Sequence, residues 1–117
     1  MAARRACVMV LVTCPSRAVA RRLAQRVVRR HLAACVNLVP SVESIFWWQG
    51  KLDRAREALL LIKTTVKAYP RLEAALRAQH PYDVPEIIAV PVTRGFAPYL
   101  RWVRQNVSGK DTGQKSP

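Results

Sequence analysis

A chain of 117 residues is one domain's worth of sequence, long enough to bury a real core. Half of it is apolar, which excludes a disordered body, yet no run reaches the ~20 apolar residues of a membrane-crossing helix. The formal charge of +13 comes mostly from arginines scattered along the chain, with no lysine-rich tail and no Arg/aromatic/Gly alternation. That pattern points to weak adhesion to polyanions rather than to a specific nucleic-acid partner.

Cys7 to Thr13 is a continuous valine-rich run, the pattern of a strand covered on both faces. The run is short for a signal peptide, and no small-residue cleavage site follows, so Leu11-Val12-Thr13-Cys14 reads as strand rather than as a lipoprotein box. Pro15 ends the strand and Ser16 is a helix N-cap. Ala20, Leu23, Ala24, Val27 and Val28 then recur at helical spacing, with Leu32 near the same stripe and Arg22, Arg26 and Arg29 opposite.

Ala33 to Val39 returns to strand character, and Pro40 predicts a kink or bulge. Val42 to Gln49 is aromatic and β-branched, Gln49-Gly50-Lys51 is a turn, and a further strand runs to Thr65. These segments form one long bent hairpin. Lys67 to Gln79 is a second helix, with Pro70 in its first turn and Leu72, Ala75 and Leu76 facing inward. Glu86 to Thr93 is the fourth strand. Ala97 to Val107 is a short last helix, and residues 108–117 form a flexible polar tail beyond a single domain of residues 1–107.

The order βαββαβ plus a C-terminal helix is the split βαβ pattern of ferredoxin-like α+β sandwiches with an antiparallel sheet. Both crossover helices fall on one sheet face and leave the other bare. Trp47 and Trp48 point to opposite sides of their strand, so at least one leaves its own core and requires a partner. Large exposed apolar patches mean association, and a homo-oligomer follows.

Between the second helix and the last strand lies His80-Pro81-Tyr82-Asp83-Val84-Pro85-Glu86. Each proline fixes its own φ and pushes the preceding residue, His80 or Val84, toward extended geometry. The stretch is therefore a rigid connector that aims side chains. Tyr82 and Asp83 share a cleft with His80, where Arg94 could meet a small anion. Asp53 and Glu57, beside Arg54 and Arg56, read as surface ion pairs.

Three blocks in this order resemble the CutA divalent-cation tolerance family: Leu32-Ala33-Ala34-Cys35-Val36-Asn37-Leu38-Val39-Pro40, Trp48-Gln49-Gly50-Lys51, and the connector His80 to Glu86. Ile62-Lys63-Thr64-Thr65 and Tyr99-Leu100-Arg101-Trp102-Val103 also look like family segments. The resemblance spans nearly all of residues 7 to 107. It implies a stable homotrimer of ferredoxin-like subunits that takes part in tolerance of copper or other divalent ions, without catalysis.

The resemblance also implies metal ligands. His80 and Glu86 match positions proposed to bind copper, and imidazole with carboxylate suits Cu(II) or another divalent ion. The third family ligand is a first-strand cysteine; Val12 stands at that position here, and Cys14 is the remaining candidate. No metal is required for folding. Cys35 reads as a buried inert thiol and His31 as a boundary histidine. Without a CxxC pair, an HExxH or a glycine-rich phosphate loop, neither a structural zinc site nor a catalytic motif is present in the sequence. The odd number of cysteines, in or beside apolar runs, suits a reducing, cytoplasmic compartment. Two other readings stand beside the metal-tolerance trimer: a small-ligand sensor with clefts between subunits, and a basic interaction module for anionic partners.

Overall fold

A computed structural model describes residues 6–108. Four strands, β1 (Cys7–Cys14), β2 (Cys35–Trp48), β3 (Lys51–Thr65) and β4 (Ile87–Pro91), form one antiparallel sheet in the order β2-β3-β1-β4. Three helices, α1 (Arg17–Arg29), α2 (Tyr69–Gln79) and α3 (Ala97–Gln105), complete the expected ferredoxin-like order. The fourth strand is shorter than the predicted 86–93, because its pairing with β1 stops at Val8 opposite Pro91. The second helix begins at Tyr69 rather than Lys67, because residues 66–68 form a turn.

Period-two alternation divides the sheet into two faces. Val8, Val10, Val12 and Cys14 of β1 and Leu60 and Ile62 of β3 pack on Ala20, Leu23 and Val27 of α1 and on Leu72 and Leu76 of α2. Ser16 caps α1 as predicted, its Oγ accepting from Val19 N–H at 3.1 Å. The helix ends in a left-handed residue, His31 (φ 60°), whose N–H donates to the Val28 carbonyl while Leu32 N–H donates to that of Val27. This is a Schellman arrangement with histidine where glycine is usual, and it carries Leu32 back into the core beside Val27.

The opposite face is not wholly bare. Cys7 pairs with Thr65 and Cys35 with Lys63, so both cysteines lie on the face away from α1 and α2. Tyr99 of α3 lies beside both sulfurs, and the Cys7 thiol donates to the Leu100 carbonyl at 3.9 Å. α3 therefore covers one end of that face. His31 Nδ1 bonds the Asn106 carbonyl at 3.1 Å and Ser108 N–H donates to the His31 carbonyl at 2.8 Å, tying the segment after α3 to the end of α1. Ser108 thus belongs to the folded body rather than to the polar tail; residues 109–117 of that tail lie outside the described residues.

The β2–β3 hairpin bends where expected. Val39 pairs with Leu59 and Val42 with Glu57, so Pro40 and Ser41 together face Ala58, a bulge that accommodates a residue without an N–H. Gln49 (φ 52°) and Gly50 (φ 79°) close it as a two-residue turn with both φ positive, the type whose twist suits a tight hairpin. Beyond the bulge the strands leave the subunit: Trp47 is 74% and Trp48 60% exposed, and Ile45 and Leu52 are also exposed. Both tryptophans lie outside the core, in keeping with the expectation that at least one would.

Candidate functional site

The connector from α2 to β4 crosses the end of β1. His80 is extended (φ −77°, ψ 136°), as a residue before proline must be, and its ring is buried. Its Nε2 lies 2.8 Å from the Thr13 carbonyl, which can only accept, and its Nδ1 lies 3.1 Å from Tyr82 N–H, which can only donate. Those two partners place the ring hydrogen on Nε2 and occupy the Nδ1 lone pair. Tyr82 tilts against the same ring at a centroid distance of 4.9 Å, and its hydroxyl donates to Glu57 Oε2 at 2.9 Å.

The result is a clasp that holds the connector down on β1 and β3. Glu57 is therefore a nearly buried partner of Tyr82, not the surface ion-pair residue expected; the one ion pair formed by the neighbouring arginines among those described joins Arg54 to Glu43 at 3.6 Å. The period-two signal was there: Glu57 shares a strand face with Leu59 and Leu61. Asp53 accepts instead from Arg54 N–H.

All three candidate ligands come to this end of β1, but not as a ligand set. Cys14 is the strand's last residue and fully buried. Glu86 precedes Ile87, which pairs with Val12, and is exposed. Among the described residues no three His, Cys, Asp or Glu side chains form a group that could hold a metal ion. His80 has no nitrogen to spare. Burial, followed by the negative charge of Glu57, pushes the Cys14 thiol up to about 11, so it stays protonated at neutral pH, whereas a metal ligand needs the thiolate. Val12, where the resemblance puts a cysteine, faces the helices with no exposed surface. Within one subunit these residues do not fit a copper site, and Glu86 alone keeps its donor atoms open to solvent.

Among the remaining cysteines, Cys35 is half-buried rather than buried, and all three thiols are free. His31, read as a boundary residue, holds α3 through its ring.

The clasp has a pH signature. Burial, then the hydrogen bond and charge of Glu57, then Cys14, push the Tyr82 phenol up to about 12 from its ordinary 10.0. Both this group and Cys14 are raised, so the fold favours their neutral forms. The stability they contribute is complete at neutral pH. It is lost as pH climbs from about 9 to 11 for Cys14 and from about 10 to 12 for Tyr82. The melting temperature should fall through this range, and Tyr82→Phe should flatten the fall above pH ~10. Parallel curves for parent and variant would remove Tyr82 from the account.

Comparison with known proteins follows the same outline. The family model described as CutA1 divalent ion tolerance protein matches residues 8–106. The divalent-cation tolerance protein CutA of Thermus thermophilus is 50% identical over 98 residues, covering 84% of this chain and 95% of its own. Protein CutA of Homo sapiens is 50% identical over 94 residues, 80% of this chain but 52% of its own, so this chain spans about half of that relative. Among solved structures, CutA1 from Oryza sativa superposes with a TM-score of 0.86 at 41% identity, covering 88% of this chain and 94% of its own. With the order of elements, the clasped connector and these matches together, the chain belongs to the CutA1 divalent ion tolerance family.

Proposed function

We propose that the protein is a non-catalytic, homotrimeric divalent-cation tolerance protein in which the His80–Glu86 connector is a structural clasp. The family match over residues 8–106 is the observation that carries the tolerance role. Assembly is supported by the exposed apolar arm of Ile45, Trp47, Trp48 and Leu52, which a lone subunit would present to water. A divalent ion is the partner class that the relatives' names indicate; copper is our choice within that class, and Glu86 is the connector's accessible ligand. Free thiols suit a reducing, cytoplasmic setting. No helix of the described residues is long and apolar enough to cross a membrane. A relative from Archaeoglobus fulgidus is named periplasmic, so location differs within the family.

Titration calorimetry with Cu(II) tests this on the folded protein. Glu86→Ala should weaken binding at least ~10-fold, a loss near 1.4 kcal/mol, while His80→Gln should change it by less than about twofold. Loss of binding in His80→Gln at an unchanged melting temperature would return His80 to the ligand set and defeat the clasp assignment. Unchanged binding in both variants would remove the connector from metal recognition.

A further inference from the structure

We infer that the exposed aromatic flank of α3, formed by Phe96, Tyr99 and Trp102, is the surface that receives the β2–β3 arm of a second copy of this chain. The inference rests on the proposed trimer and names the contact that builds it. Phe96 is 75%, Tyr99 40% and Trp102 42% exposed, and the last two rings stack at a centroid distance of 5.6 Å. The Tyr99 hydroxyl is hydrogen-bonded to the Cys35 thiol, which fixes the flank against the sheet.

A ring of three cannot be closed by one patch meeting itself. A self-complementary patch gives a two-fold dimer, whereas a ring needs two different patches on every chain. The arm is one of them. The other has to be apolar and beyond the reach of the same chain's arm. α3 lies over the end of the sheet where Cys7 pairs with Thr65. The base of the arm, at Glu57, is about 27 Å from there along β3 at ~3.4 Å per residue, and the arm runs on in the opposite direction. No chain covers its own flank with its own arm, so the two surfaces meet only between chains.

The surfaces match in charge as well as in polarity. Phe46 and Trp48 share one side of the arm with Asp53, which faces Phe46 in register, and Lys51 lies at the tip opposite Trp48. Arg54 and Glu43 pair with each other on the other side. Asp53 accepts from Arg54 N–H and forms no ion pair among the described residues. Beside the flank, Lys63 is in register with Cys35 and shares its sheet face with Leu61 and Thr65. An aromatic arm carrying Asp53 therefore meets an aromatic flank carrying Lys63.

Sedimentation of complementary variants tests it. Phe96→Glu/Trp102→Glu should convert the ~40 kDa parent into a 13.2 kDa subunit with an unchanged circular dichroism spectrum. Mixed in equal amounts with Trp47→Glu/Trp48→Glu at ~0.1 mM, it should give a species of about 26 kDa, two chains of 13.2 kDa. The intact arm of one variant then fits the intact flank of the other, and the ring cannot close. Asp53→Lys should raise the concentration at which half of the chains assemble at least ~10-fold, and adding Lys63→Asp to the same chain should recover most of that loss. An α3 variant that keeps the parental mass overturns the inference and leaves the trimer standing. A mixture that stays at 13.2 kDa, or a double charge swap no better than Asp53→Lys, overturns it too. A parent that sediments as a single chain removes the trimer itself, and the inference with it.

Discussion

Replacing His80 with alanine should lower unfolding stability by about 3 kcal/mol, read as a shift in the urea midpoint at fixed protein concentration. The ring is buried, and both of its nitrogens are bonded to backbone. Alanine strands the Thr13 carbonyl and Tyr82 N–H, each costing about 1–3 kcal/mol if water cannot reach it. It also leaves a void under the connector, which adds a cavity cost. Tyr82 would then lose the surface it tilts against, loosening its bond to Glu57. His80→Gln, which keeps a donor near Thr13, should recover part of the loss. A midpoint that moves no further than for an exposed neighbour such as Arg77→Ala would mean that the clasp contributes nothing to stability.

The second large effect concerns assembly. Trp47→Glu/Trp48→Glu should convert a particle of about 40 kDa, three chains of 13.2 kDa, into a 13.2 kDa subunit in sedimentation. A tryptophan can bury about 200 Å², which at ~25 cal/mol per Å² is on the order of 5 kcal/mol, before the cost of burying a carboxylate instead. Because the arm lies beyond the subunit's own core, the variant should keep its helical and strand signal in circular dichroism. A parent that sediments as a single chain, or a variant that stays at the parental mass, would refute the trimer.

The strands, the helices and their order were legible because each carries its own period. The turn at Gln49-Gly50 and the bulge at Pro40 were legible because each needs a residue with unusual backbone freedom or a missing N–H. What could not be read is where backbone groups act on distant side chains. His80 is held by a carbonyl 67 positions away, and a carbonyl has no sequence signature. The same ring in the same stretch therefore reads as a metal ligand until its acceptor is known. The end of α1 was hidden for a related reason. Its left-handed residue is a histidine rather than a glycine, and the ring is engaged with the Asn106 carbonyl 75 positions away. Glu57 reads as a surface residue from its arginine neighbours, although its place in line with Leu59 and Leu61 puts it on a partly buried strand face.

The bulge at Pro40 and Ser41 does more than bend a strand. It separates the longest ladder of the protein into two lengths that answer to different conditions. Below it, β2 and β3 are held by helices of the same chain, so their opening is governed by the intrinsic stability of one subunit. Above it, the paired strands have mostly water on both faces, so in the proposed trimer their persistence would be set by mass action. In the proposed trimer, one continuous hairpin would thus contain a part whose order is fixed at folding and a part whose order follows the protein concentration.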